Sequence, residues 1–214
     1  MLIQKVLKGI PNLSETQASG ILKEGILCNW WRKVGVPPAN EVPQRLIDRN
    51  LEWHQNRYQD LDPLEGNEEF FKHTPFISVT AGTVERDVAA RSNIVNPASE
   101  IALAFATDFG STSGWVFHCY VFILGRKAIA HAAFAEEIRE LNIYTGFSPF
   151  QPEGEITAKI SIPPAQIEKC ECFDAASVKT SLAAGNLPVP SKPAIHNALY
   201  QAPEDISNIR DFLR

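Results

Sequence analysis

Apolar and polar residues alternate from Glu155 to Ile162, which is the period-two pattern of a strand with one buried face. The run 115–124 is almost entirely β-branched or aromatic, and this composition predicts a buried strand. Shorter β-rich runs at 75–80 and 168–173 predict two further strands. Most of the predicted sheet therefore lies in the second half of the chain.

Apolar residues at helical spacing predict helices before and between these strands. Residues 97–107 carry apolar side chains at i, i+3, i+4 and i+7. A second helix is predicted to begin near Pro43, with His54 at the end of its apolar stripe. The remaining helical predictions cover residues 1–29, 132–142 and 203–213. Helices followed by mostly antiparallel strands make the predicted fold class α+β.

The length of 214 residues is typical of one domain with extensions. We expect a core over about 30–174, preceded by the helical segment 1–29. Prolines become frequent after residue 175, so 175–214 is predicted to be a proline-rich C-terminal extension.

The charge and hydropathy of the chain argue against some classes of partner. The formal net charge is −5 and no basic run occurs, whereas nucleic-acid binders usually carry a basic patch. No stretch of apolar residues is long enough to predict a membrane span, and the N-terminus lacks the features of a secretory signal. We therefore expect a soluble protein, either cytoplasmic or exported in its mature form, and a nucleic-acid partner is disfavoured.

The four cysteines do not predict a disulfide framework or a metal site. Cys170 and Cys172 are separated by one residue, whereas zinc ligands usually occur as Cys pairs separated by two to four residues. We interpret them as packed thiols and expect no metal.

Glu153 and Glu155 form the most distinctive polar pair. They lie where a proline-containing loop enters a predicted strand, on which residues i and i+2 share one side. Two carboxylates in this arrangement can hold a cation or polarise a substrate. The commoner interpretation of this spacing alone is a pair of solvated surface acids.

Three motifs follow one another around this pair: Phe-Ser-Pro at 147–149, Glu-x-Glu at 153–155 and Ile-Pro-Pro-Ala-Gln-Ile at 162–167. Their order and spacing resemble the catalytic region of the cholera-toxin-like mono-ADP-ribosyltransferases, the family that includes the alpha chain of heat-labile enterotoxin. This resemblance is far more specific than the acid pair alone.

Two upstream segments are similar to other motifs of the same family. Ser78 and Thr80 correspond to its Ser-Thr-Ser strand, with valine at the middle position. Trp-Trp-Arg ending at Arg32, followed by two prolines, resembles its aromatic-arginine strand, and Arg45 is the alternative arginine. The literal Ser-Thr-Ser at 111–113 lies in a glycine-flanked loop and is not assigned to the motif. The resemblance spans about 30–173.

The resemblance implies an ADP-ribosyltransferase fold, in which two small, mostly antiparallel sheets with flanking helices form a cleft for NAD. It implies an enzyme, a toxin, effector or internal regulator, that cleaves NAD and transfers ADP-ribose to an arginine of an acceptor protein. NAD would be the substrate, and no metal or further cofactor is implied.

The resemblance also assigns roles to individual residues. Glu155 is the catalytic carboxylate, which stabilises the positive charge that develops as nicotinamide leaves. Glu153 faces the acceptor, where a carboxylate can pair with a guanidinium and take its proton. The remaining assignments are Arg32, Ser78 and Thr80 for NAD binding and Phe147 and Phe150 for contact with the acceptor.

Three alternatives stay open. An NAD glycohydrolase would use Glu155 with water as the acceptor. Transfer to a nucleic-acid base is disfavoured by the acidic charge balance and by the presence of Glu153. A catalytically decayed interaction module is supported only by the arginine motif, in which residues 33–36 replace the Asp and second Arg that often follow in the family.

Overall fold

The computed structural model describes residues 2–81, 83–87, 92–96, 98–123, 134–137 and 155–205. The helices in these ranges are α1 (Glu15–Glu24), α2 (Asn29–Val34), α3 (Val42–Arg45), α4 (Asp48–Asn56), α5 (Ala98–Ala106) and α6 (Ala175–Ala183). The strands are β1 (Leu2–Pro11), β2 (Ile26–Leu27), β3 (Leu61–Asp62), β4 (Glu68–Glu69), β5 (Phe76–Thr80), β6 (Thr83–Asp87), β7 (Ser92–Asn96), β8 (Gly114–Ile123), β9 (Phe134–Glu137), β10 (Glu155–Lys159), β11 (Ser161–Ile162), β12 (Ile167–Phe173) and β13 (Ile195–His196). None of the described helices has the length and hydropathy needed to cross a bilayer.

Seven of the described strands form the main sheet, which consists of two groups. One group contains β1, β8, β12 and β13, and the other contains β5, β10 and β9. The groups meet where Leu7 of β1 pairs with Thr80 of β5, and again where β8 runs parallel to β9. The other pairings in this sheet are antiparallel. The predicted α+β class with mostly antiparallel sheets is therefore confirmed.

The main hydrophobic core lies on one face of β8. The buried residues of that face are Trp115, Phe117, Cys119 and Val121. They belong to the same cluster as Ile156 and Ala158 of β10, so the buried strand predicted at 115–124 and the apolar face predicted at 155–162 are both confirmed.

Helix α5 lies directly on the backbones of β1 and β8. A Cβ at Gly9 would lie 2.1 Å from the carbonyl oxygen of Ala102, and a Cβ at Gly114 would lie 1.8 Å from that of Ala106. Real side chains do not tolerate such distances, so two glycines and two alanines allow the close approach. We call this contact of Gly9 and Gly114 with Ala102 and Ala106 the seam, and it fixes the position of α5 against the sheet.

The helical prediction for residues 1–29 was wrong for the first part of the segment. Leu2–Pro11 is strand β1, and a helix forms only at Glu15–Glu24, where Ser14 and Gln17 make a capping box. β1 pairs with β8 along its whole length, from Leu2 with Ile123 to Pro11 with Gly114. The partner strand is distant in the sequence, and its hydrogen bonds override the local spacing.

The predicted helix at 132–142 also needs correction. Phe134–Glu137 is strand β9, and the rest of that range lies outside the described residues. β9 pairs with both β10 and β8, so tertiary pairing outweighs the helix propensity of its alanine-rich surroundings.

The described part of the C-terminal segment 175–214 packs on the sheet edge. It contains α6 and β13, and β13 pairs with β12. The side-chain amide of Asn197 donates hydrogen bonds to the carbonyl oxygens of Pro164 and Ile167 at 2.8 and 2.9 Å. Within the helix predicted at 203–213, Pro203–Asp205 is a 3₁₀ turn and the remainder lies outside the described residues.

Candidate active-site cleft

A cleft lies between β1 and β5, which pair through Leu7 and Thr80. Two adjoining cavities of about 250 and 190 Å³ occupy it. The residues that line both cavities are Lys8, Gly9, His54, Tyr58 and Ser78. The cleft is therefore built from β1, β5 and the end of α4.

The two cavities differ in their remaining walls. The first has a mostly apolar wall, to which α5 contributes Ile101, Ala102 and Phe105. The second extends along β1 towards α2, where Asn29 and Arg32 line it. The seam between α5 and the glycines of the sheet thus shapes the first cavity.

The cleft carries positive charge. Lys8 and Arg32 line it, and no Asp or Glu among the described residues lines either cavity. Ammonium and guanidinium groups facing a concave site favour an anionic ligand such as a phosphate. No three described His, Cys, Asp or Glu side chains are grouped to hold a metal ion.

His54 holds Ser78 in place at the junction of the two cavities. Its Nδ1 lies 2.9 Å from Thr74 Oγ1, and its Nε2 lies 2.9 Å from Ser78 Oγ. Burial, and secondarily the charge of Lys8, lowers the pKa of His54 from its ordinary value to about 3. The imidazole is therefore neutral at pH 7, and one ring nitrogen donates while the other accepts.

We expect the stability of the protein to fall between pH 7 and pH 5 because of His54. Its folded-state pKa is depressed, so the unfolded chain binds more protons as the pH drops below about 6.5. The expected loss from this residue is about 2 kcal/mol at pH 5. Urea unfolding of the wild type and of His54→Gln at both pH values measures it. An equal loss of stability in the variant would assign the effect to other groups.

The start of β10 lies next to the first cavity. Glu155 pairs through its backbone with Thr80, and Thr157 pairs with Ser78. Thr80 and Ser78 both line the first cavity. The register thus brings the backbone of one predicted catalytic residue beside both predicted NAD-binding residues of β5.

The prediction that Arg32 lies on a strand was wrong, because Arg32 lies on helix α2. Helix α2 begins after Cys28, whose sulfur accepts a hydrogen bond from the Trp31 amide, and ends at Gly35 with a φ of 79°. Arg32 nevertheless lines the second cavity. The alternative, Arg45, pairs with Glu65 at 2.7 Å and lies among the lining residues of neither cavity.

Sequence reasoning missed Lys8, His54 and Tyr58. Lys8 lies in the segment that was predicted to be helical, so it was not considered for a strand-based site. His54 was recognised only as part of an apolar helix face. Of the other predicted residues, Glu153, Phe147 and Phe150 lie outside the described part of the chain.

Comparisons with known proteins found similar solved structures of low sequence identity. No family model and no curated protein matches the chain. EcPltA matches with 13% identity and a TM-score of 0.45, over 93% of this chain and 88% of that chain. Nicked CARDS toxin matches with 13% identity and a TM-score of 0.40, over 92% of this chain but only 31% of the toxin. An arginine-to-lysine mutant of heat-labile enterotoxin matches with 15% identity and a TM-score of 0.34, over 80% and 75%.

Proposed function

We propose that the protein is a mono-ADP-ribosyltransferase, which cleaves the nicotinamide–ribose bond of NAD and transfers ADP-ribose to an arginine of an acceptor protein. The observation that carries this proposal is the register of β5 and β10. It sets the backbone of Glu155 opposite Thr80, beside a positively charged cleft that Ser78 also lines. The motifs around these three residues independently support the same chemistry.

In this proposal the cleft binds NAD through its cations and hydroxyls. Lys8, at the junction of the two cavities, pairs with the pyrophosphate, and Arg32 contributes a second cation from the second cavity. Ser78, held by His54, binds the ribose next to nicotinamide. Thr80 supports the pocket beside Glu155.

The proposed reaction breaks one carbon–nitrogen bond and forms another. The electron pair of the nicotinamide–ribose bond leaves with nicotinamide, and the ribose carbon becomes oxocarbenium-like. The Glu155 carboxylate stabilises this charge more strongly in the transition state than in bound NAD. An arginine nitrogen of the acceptor then bonds to the carbon and loses a proton, for which Glu153 is the proposed base. Phe147 and Phe150 remain the proposed acceptor contacts.

Nicotinamide release from NAD, measured with and without agmatine as a small guanidine acceptor, tests this function. We expect the wild type to release nicotinamide and to label agmatine with ADP-ribose. Lys8→Met should raise the KM for NAD by about tenfold, because a charge-assisted contact with the pyrophosphate is lost. Lys8→Arg should restore most of the affinity because it retains the positive charge.

Lys5→Met is the matched control, since Lys5 lies on the same strand but is exposed and lines neither cavity. It should leave the KM for NAD unchanged. A wild type that releases no nicotinamide would contradict the proposed function. An unchanged KM in Lys8→Met would contradict only the role of Lys8.

A further inference from the structure

The turn after α5 has an unusual backbone. Asp108, Phe109 and Gly110 have φ values of 46°, 52° and 84°, so three consecutive residues adopt the left-handed region. Glycine enters this region freely, but a bulky residue such as phenylalanine does so at an energetic cost. Such a cost persists where the surrounding structure imposes it, and it is concentrated at functional sites.

Hydrogen bonds impose this conformation. The Phe109 amide donates to the carbonyl oxygen of Ala104 at 2.7 Å, and the Gly110 amide donates to Thr107 Oγ1 at 3.2 Å. The Thr107 hydroxyl in turn donates to the carbonyl oxygen of Leu103 at 2.8 Å. These hydrogen bonds hold the backbone of the turn against the end of α5.

The turn presents an aromatic ring and a carboxylate to solvent beside the cleft. Phe109 is 74% exposed, and its ring packs edge-on against Phe105 with 5.5 Å between centroids. Phe105 lines the first cavity, which Thr80 also lines. Asp108 is exposed and forms no ion pair with any residue in the described ranges. Neither side chain contributes to the core, so the strained turn is not explained by packing.

We propose that Asp108 and Phe109 form a docking corner for an arginine-bearing segment of the acceptor protein. A guanidinium stacks on an aromatic face and pairs with a carboxylate, and the corner offers both groups side by side. The net charge of −5 also favours a cationic partner. This inference rests on the proposed function, because Phe109 packs on Phe105 in the wall of the first cavity, which is part of the proposed NAD site.

Peptide binding tests the corner without requiring turnover. The probe is a fluorescein-labelled Gly-Gly-Arg-Gly-Gly peptide, and its twin carries citrulline, an uncharged isostere of arginine. Asp108→Asn and Phe109→Asn remove the charge and the ring, while asparagine tolerates the left-handed backbone. Each variant should weaken binding of the arginine peptide about threefold, measured by fluorescence anisotropy. The citrulline peptide should bind the wild type more weakly and should not respond to Asp108→Asn.

Two controls separate docking from folding. Val189→Ala removes an apolar side chain that is also 74% exposed, and it should leave peptide binding unchanged. Phe109→Asn should unfold at the same or a higher urea concentration than the wild type, because it relieves backbone strain.

Several results would overturn the inference. Unchanged binding in both asparagine variants would show that Asp108 and Phe109 do not bind the arginine peptide. Equal binding of the arginine and citrulline peptides would indicate an apolar partner, and loss of a wild-type dimer in Phe109→Asn would indicate a second copy of the chain. Any of these results together with nicotinamide release by the wild type would leave the proposed function intact. Peptide binding by a chain that releases no nicotinamide would refute the transferase activity alone.

Discussion

Replacing Glu155 with glutamine is expected to lower the rate of nicotinamide release from NAD by at least about a hundredfold. The amide has nearly the shape of the carboxylate but no negative charge. It therefore loses the interaction that strengthens as the ribose carbon becomes positive. The contacts that Lys8 and Ser78 are proposed to make with NAD do not involve this charge. We expect kcat to fall while the KM for NAD changes little, and steady-state kinetics at varied NAD measures both.

Glu24→Gln is the control for this prediction. Glu24 is an exposed acid at the end of α1 and lines neither cavity, so its replacement should leave the rate of nicotinamide release unchanged. Thermal unfolding of Glu155→Gln shows whether the domain stays folded. Full retention of nicotinamide release in a folded Glu155→Gln protein would remove the assignment to ADP-ribosyltransferases.

Replacing Gly9 with alanine is expected to destabilise the protein by about 3 kcal/mol and to weaken NAD binding. The new Cβ would lie 2.1 Å from the Ala102 carbonyl oxygen and 2.5 Å from the Ala106 amide nitrogen. Both are backbone atoms of α5, so the helix must move away from the sheet. Because α5 carries Ile101 and Phe105 in the cavity wall, this movement alters the cleft as well as the core.

Gly20→Ala provides a matched control of opposite sign. Gly20 lies inside α1, and a Cβ there would meet nothing within 4 Å. Alanine should stabilise this position by about 0.5–1 kcal/mol, because glycine loses more backbone entropy in a helix. Urea unfolding of both variants gives the two free energies. A Gly9→Ala protein as stable as the wild type would show that the seam between α5 and the sheet is not closely packed.

Local spacing predicted several elements that carry the candidate site. The alternation after Glu155 predicted a strand, and Glu155–Lys159 is β10. The spacing at 97–107 predicted α5, and the β-rich run at 75–80 predicted β5 with Ser78 and Thr80 on it. These predictions succeeded because the pattern of burial repeats within a few consecutive residues, where it is visible without knowledge of any partner.

The site residues that were missed depend on contacts between distant segments. His54 has the spacing of an ordinary core residue of a helix, and only the position of β5 brings Ser78 within 2.9 Å of its ring. Lys8 has no distinguishing neighbours in the sequence. It lines the cleft because β1 pairs with β5 at the adjacent residue, Leu7. Arg32, which the motif assigned to a strand, reaches the cleft from a helix.

The sequence by itself determined the α+β class, the strands β5, β8, β10 and β12, and the motifs on which the proposed roles of NAD and Glu155 rest. Only the tertiary structure decided that residues 2–11 form a strand of the main sheet and that Lys8 lies in the cleft. The physical reason is that a strand is stabilised by partners. β1 forms hydrogen bonds with β8, which lies about a hundred residues later in the sequence. A local sequence pattern does not reach that far, and these bonds exist only once the sheet has assembled.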